Sequence, residues 1–559
     1  MNRKRILILL FCLCLTVVFC IPLFSSVSLY SGHDTDYHIA RIYSLSKAIQ
    51  YHDYFPSLFY LQSYGYGYAS PLFYSNFLIY IPAVLNAIGV NITTSYKMFI
   101  FMCVYLTSLL MFWCSYRIFK DCKSAAVSSV LYIFSNYFIT DVFYRGALGE
   151  VLAFMIVPII MLGAYNLIEG KGNDWFLLTI GFSCLLLVHN ISFILICFTF
   201  GLYLMINIRK FLTKRVLLNL FKAVILSIGL TAFFLFPMLE QLNVGIYRVS
   251  SYFSDDSFAK SLLTFSEAIS IFPGTGMIWG IEDNKINMSI GIIQIFIILI
   301  SLLKYKENKR AFFYAMIILI VILMTTRYFP WQYLLKPNFI QFSCRLLIIA
   351  IPLCAILGGF LVKSNLRLSV LIIMLAVGFG LFQIYPLISL SKIDENNLRT
   401  LDLYYNGQGD RLSEEIWALG ALDYMPITIY DQLQTREKSI LVNDGQRILN
   451  YKQDYNLLTF EDERESLVEY VLPLIYYKGY KVVGIFDDKE QSLNVYPNEE
   501  GFVSFSNNTL STNVHYEIKY SGTLVQSLSK IVSIISIFIL IYMKCYESNI
   551  KNIKRGIYL

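Results

Sequence analysis

Residues 31–56 read SGHDTDYHIARIYSLSKAIQYHDYFP and hold three aspartates, three histidines and one arginine directly after the first apolar run. Carboxylate and imidazole are the side chains that move protons or bind divalent ions near neutral pH. Asp34 and Asp36 form a pair that can take a proton from an acceptor hydroxyl. With His33 and His38 they can also hold a divalent cation such as Mg2+ or Mn2+, although this spacing is a weak metal signal. The same stretch has a plainer reading. Ile39, Ile42, Leu45 and Ile49 recur at near-helical intervals, which predicts an amphipathic helix along a membrane surface. Asp34 and Asp36 at its start then suit the positive end of the helix dipole.

Further candidates are the arginine of this stretch and residues far away in the chain. Arg41, Arg145 (in DVFYRGALGE, 141–150) and Arg345 (in FIQFSCRLL, 339–347) offer guanidinium forks suited to a lipid phosphate. Glu150 and the pair His189-Asn190 complete the set. Each has a bland alternative: an Arg145–Glu150 ion pair at a helix mouth, a His-Asn pair satisfying loop backbone, and an Arg345 that snorkels to the interface. Glu240 reads as water-facing, and Tyr64, Tyr66 and Tyr68 read as an interfacial aromatic belt.

The elements that must position these groups are apolar helices. Of 559 residues, 57% are hydrophobic and only 15% charged, too little polar surface for a soluble protein of this size. Apolar runs near 20 residues recur throughout, the length that crosses a bilayer as helix. The run 6–24 follows Arg3, Lys4 and Arg5 and is read as a retained first helix rather than a signal peptide. The net charge of +7 sits in short loops such as Arg209/Lys210/Lys214/Arg215, which is the positive-inside pattern and gives no reason to invoke nucleic acid. Thirteen runs qualify, but the basic loops all face the cytoplasm only if 71–90 does not fully cross. The expectation is a polytopic α-helical membrane protein with about twelve spans and both termini inside. Residues 1–390 form the helical domain with an external loop 30–70. Residues 391–522 form an extracytoplasmic β-sandwich-like domain, and 523–559 a last span with a basic tail. None of the eleven cysteines falls in 391–522, and no disulfide or zinc spacing is present.

GHDTDYHIARI resembles the opening motif of YfhO-like bacterial membrane proteins of the GT-C glycosyltransferase superfamily. GYGYASPLFY (65–74), YRGALGEVLAF (144–154), LLLVHNIS (185–192), FFLFPMLE (233–240), FIQFSCRLL and LPLIYYKGYKV (472–482) are similar to stretches that recur in that order in such proteins. Ser343-Cys344 depart from the Pro-Trp expected before the arginine. The resemblance implies a GT-C-like bundle in the bacterial cytoplasmic membrane, working on its outer face. It implies a polyprenyl-phosphate-linked sugar as donor and an envelope glycopolymer, teichoic acid or a wall or capsular polysaccharide, as acceptor. It gives Asp34 the role of base or metal ligand, with Asp36 as its neighbour. Two other classes stay open from the residues alone: a lipid-linked sugar flippase or transporter, and a non-catalytic assembly protein.

Overall fold

A computed structural model of the chain describes residues 3–25, 29, 32, 34–63, 65–170, 175–251, 257–270, 288–334, 337–363, 365–393, 423–429, 438–443, 445–463, 468–486, 489–507 and 514–556. Two compact units emerge: Met1–Ile39, Gly89–Ser227 and Tyr252–Gln408 form the first, and Ala40–Ile88, Ile228–Ser251 and Gly409–Leu559 the second.

The first unit is helical. The helix Ile92–Phe119 begins where the Asn91 side chain accepts from the amides of Thr93 and Thr94 at 2.8 and 3.3 Å. It ends at Lys120 in the left-handed conformation, and Asp121 at once caps the next helix, Cys122–Ile133, through the Ser124 amide at 2.8 Å. Two residues thus reverse the chain between helices. The pair is held by polar contacts, Ser108 Oγ to Ser129 Oγ at 2.9 Å and Ser115 Oγ to Ser128 Oγ at 2.8 Å, as apolar solvent favours. The helix Leu148–Glu169 packs against Ile92–Phe119 and Trp175–Val188 and is the most enclosed of the long helices, which is why its few polar residues matter.

Among the described residues seven helices are long and apolar enough to cross a membrane, or eight if Cys122–Ile133 and Asn136–Arg145, bent by 47°, count as one. Twelve spans were expected. The difference arises where apolar runs break into shorter helices, such as Trp175–Val188, Asn190–Ile206 and Ile292–Leu303. Residues 71–90 hold only Ser70–Phe73 and Tyr80–Ala87, each far short of a bilayer-spanning helix.

The second unit contains two antiparallel five-stranded sheets. One has the order β2 (Gln446–Ile448), β1 (Ile440–Val442), β5 (Val468–Ile475), β9 (Phe502–Asn507), β8 (Val495–Pro497). The other has β3 (Tyr451–Asp454), β4 (Leu457–Asp462), β10 (Val514–Tyr520), β6 (Tyr480–Phe486), β7 (Lys489–Leu493). Inward and outward residues alternate along β6 and β10, the period of a strand with one buried face. The inner faces meet through rings: Tyr470–Tyr516 at 5.2 Å, Phe460–Tyr470 and Phe505–Tyr516 at 5.3 Å, with Phe460–Tyr516 and Tyr470–Phe505 stacked at 4.8 Å within each sheet. Their hydroxyls are satisfied, Tyr470 by Asp462 at 2.6 Å and Tyr516 by Asn507 at 2.9 Å. Residues 394–422 of the expected external domain lie outside the described residues.

Glu240 does not simply face water. Its carboxylate accepts from Thr523 Oγ1 at 2.5 Å and meets Lys478 Nζ at 3.1 Å, while the Gln241 amide donates to and accepts from the Lys478 backbone. The end of helix Lys214–Leu242 is thereby fastened to the turn between β5 and β6. Phe505→Ala should cost about 3–5 kcal/mol by emptying the centre of the ring cluster. Limited proteolysis of the detergent-purified protein would read this as faster cleavage among the strands; unchanged resistance would contradict the packing described.

Candidate functional site

The bend after Ile133 falls where Phe134 leaves the helix and Ser135 takes an extended backbone before Asn136. Residues Asp141–Arg145 form a wide π-type turn, a form common at functional sites, and Gly146 ends it at φ +62. The chain then starts the helix Leu148–Glu169, so Glu150 falls in a first turn, where the dipole favours negative charge. Arg345 arrives from a tight turn, 343–346, that opens the helix Leu347–Val362.

These three elements bring four charges together. Arg145 Nη1 lies 2.6 Å from Asp141 Oδ1, and Arg145 Nη2 lies 2.9 Å from Glu150 Oε1. The same Glu150 oxygen accepts from Arg345 Nε at 2.9 Å. Tyr137 donates its hydroxyl hydrogen to Glu150 Oε2 and accepts from Arg145 Nη1 at 3.1 Å. Arg345 Nη1 reaches the Ile340 carbonyl at 3.0 Å and Gln341 Oε1 at 2.5 Å, and Gln341 itself sits at φ +63. Exposure of the Arg145, Asp141 and Glu150 side chains is 3% or less, so the cluster is dry, and two positive charges balance two negative ones. Dry charges persist only when paired and hydrogen-bonded.

His189 lies within electrostatic reach of Glu150, Arg145 and Arg345. Its Nδ1 accepts from the Ser192 amide at 3.3 Å, capping the helix Asn190–Ile206 and leaving the ring hydrogen on Nε2. Asn190 is the first residue of that helix and is half-buried.

Asp34 joins the same place through its backbone. Its amide donates to the Arg145 carbonyl at 2.8 Å. A Cβ on Gly32 would come within 2.8 Å of that carbonyl, and one on Gly146 would collide with Thr35 Oγ1, so both positions require glycine. The GHDT and YRGALGE stretches are therefore one interlocked structure. The Asp34 carboxylate is half-buried, takes no hydrogen bond or ion pair from any described residue, and lies within electrostatic reach of Tyr96.

Other expected residues stand elsewhere. Asp36 is in the first turn of the helix Thr35–Gln50, and His38, two residues on, is buried. Arg41 belongs to the second unit, where it donates to the carbonyls of Tyr74 and Ser75 at 3.0 Å and lies 4.1 Å over the Tyr74 ring. It shapes a loop. Tyr66 and Tyr68 are buried in the core of the second unit rather than in an interfacial belt, because the sheets cover them. His33 and Tyr64 lie outside the described residues. Among the described residues no group of three His, Cys, Asp or Glu side chains could hold a metal, so Asp34, Asp36 and His38 do not fit one by themselves.

Sequence reading missed Asp141, Tyr137 and Gln341. The four-residue spacing of Asp141 and Arg145 was the available signal.

Residues 72–391, more than half of the chain, match a family of membrane proteins described as 6-pyruvoyl-tetrahydropterin synthase related domain. The chain belongs to this family. Membership fits the YfhO-like resemblance at the level of a membrane-protein family. The matched stretch carries Arg145, Glu150, His189, Asn190 and Arg345, and it begins after Asp34, Asp36 and Arg41. A protein of Lactococcus lactis subsp. cremoris (strain MG1363), described as uncharacterized, is 25% identical over 346 residues. The alignment takes in 59% of this chain and 55% of that protein, so it covers only about half of the relative.

Two substitutions probe the site. Glu150→Gln removes the counter-charge shared by two buried guanidiniums and should cost about 3–5 kcal/mol in thermal or denaturant unfolding. Gly146→Ala forces a Cβ onto a left-handed residue and into Thr35, so stability should fall by more than ~1 kcal/mol. Thr35→Ala in the same chain should restore only the part due to collision. A Gly146→Ala protein as stable as its parent would show that the interlock is not tight.

Proposed function

We propose that the chain is a membrane glycosyltransferase that moves a sugar from a polyprenyl-phosphate donor to an envelope glycopolymer on the outer face. The observation that carries this reading is the Asp34 carboxylate, half-exposed, without a described partner, and mounted by its own amide on the turn that bears Arg145. In the step, the acceptor hydroxyl oxygen attacks the anomeric carbon and its proton passes to Asp34. The bond from that carbon to the phosphate oxygen breaks, and its electron pair leaves with polyprenyl phosphate. Arg145 and Glu150 are already paired, so they act as positioning residues. Arg345 keeps Nη2 without a described partner, and that donor is the one left to meet the phosphate. No step is assigned to a divalent ion, since the described side chains do not form a ligand set.

Helix length supports the outer face. Glu150 and Glu169 are separated by about 28 Å along one helix, near the thickness of a bilayer core. At the far end Lys210 pairs with Glu169 at 3.1 Å and Arg215 donates to the Gly170 carbonyl at 2.9 Å. The positive-inside rule puts that end in the cytoplasm and the acidic site outside.

The test is transfer of labelled sugar from a panel of polyprenyl-phosphate sugars to cell-wall polymer by purified protein. Asp34→Asn should lower transfer by about 100-fold or more while leaving the unfolding temperature unchanged. Equal transfer by both proteins would remove Asp34 from the chemistry, and no transfer with any donor would overturn the enzyme reading.

A further inference from the structure

The second unit carries a group of aromatic side chains that none of the steps above uses. Tyr51 and Tyr455 stack in parallel, 4.5 Å apart with 8° between their planes, and Tyr60 meets Tyr455 edge-on at 4.9 Å. Tyr455 OH donates to Asp53 Oδ2 at 3.3 Å. Tyr51 is 52% exposed and Tyr54 54% exposed, and half-buried Asp53 lies between them in the chain.

The backbone is strained on both sides of this stack. Tyr455 is the first residue of the two-residue loop joining β3 to β4, and it sits at φ +45 where glycine is the usual choice. His52, next to Tyr51, sits at φ +62 and its Nδ1 lies 3.1 Å from Tyr54 OH. A bulky side chain at positive φ costs stability, so two of them beside one exposed stack point to a purpose beyond folding.

An exposed flat ring beside a carboxylate is the chemistry that grips a pyranose. The ring stacks on the sugar's C–H face, and the carboxylate accepts hydrogen bonds from its hydroxyls. A bilayer interface would also cover tyrosines. It suits Asp53 poorly, because a carboxylate loses much of its water there and Tyr455 OH is a single donor in exchange. Among the described residues, Tyr480 OH, near Tyr60, and Gln62 Oε1, Ser63 Oγ and Gln453 Oε1 are buried without hydrogen-bond partners, so this part of the unit keeps unused capacity for polar atoms.

We propose that Tyr51, Asp53, Tyr54 and Tyr455 form a glycan-binding ledge that holds a pyranose unit of the acceptor polymer. Only the word acceptor rests on the transferase reading; the binding itself does not.

The experiment therefore uses the full-length Asp34→Asn protein in nanodiscs without any sugar donor, where binding is read apart from transfer. Malto-, cello- and chitohexaose are the probes, titrated by calorimetry. One of them should bind, and Tyr51→Ala and Asp53→Asn should each weaken it about ten-fold, with Tyr51→Phe restoring it. Unfolding temperatures of the variants serve as the control for a merely structural role. A Tyr51→Trp reporter should respond to the bound hexaose and not to brominated lipid. No binding by any hexaose, equal binding by Tyr51→Ala, or quenching of the reporter by brominated lipid alone would overturn the proposal. Loss of sugar transfer by the parent chain with the ledge intact would instead count against the transferase reading.

Discussion

The buried carboxylate of Glu150, shared by Arg145 and Arg345, is the constraint around which the first unit is arranged. A dry carboxylate or guanidinium standing alone would cost several kcal/mol, so each of the three must find the others. They come from a π-type turn, the first turn of an enclosed helix, and a tight turn 195 residues further on. Satisfying them fixes where all three elements meet. The positive φ of Gln341 belongs to the same constraint: its side chain completes Arg345, and the backbone bends to deliver it.

That pairing separates positioning from chemistry. A guanidinium whose donors are spent on buried carboxylates has little left for a lipid phosphate, so the bidentate phosphate role expected for Arg145 is already occupied by protein. The carboxylate without a described partner is Asp34, held at its backbone by the carbonyl of Arg145 itself. Any change that relaxes the Arg145 turn therefore moves Asp34, although no side-chain contact links the two. A half-exposed carboxylate mounted through its backbone on a dry cluster of paired charges keeps its position without an ion pair of its own.

Much of the helical layout was legible because run length is a direct measure of bilayer thickness, and the strands because short β-like runs such as YKVVGIF and VHYEIKY are divided by turn residues. The bend between Ile133 and Asn136 was not legible: the apolar run continues across it, and only the extended backbone at Ser135 marks where it breaks. Gly32 and Gly146 were visible in the quoted motifs, but their reason, a close approach between segments 110 residues apart, exists only in three dimensions. The membership of residues 40–88 in the β-rich unit was equally hidden. It rests on tyrosines such as Tyr66 and Tyr68, whose amphipathic rings serve an interface and a core equally well.

The placing of Asp34 opposite the basic loops does not depend on how many spans the chain has. It needs only the relation between the acidic site and the basic loops, and two single helices supply it. Leu148–Glu169 has Glu150 at one end and the Lys210–Glu169 pair at the other. Ile92–Phe119 starts beside Tyr96, within electrostatic reach of Asp34, and ends about 31 Å away at Arg117. There the Lys4 ammonium lies 5.3 Å over the Tyr116 ring, which puts the basic start of the chain at that same end. A change in the count elsewhere adds or removes crossings without altering these two. The end of the first unit that carries the Asp34 carboxylate therefore lies opposite the basic loops with twelve spans or with eight.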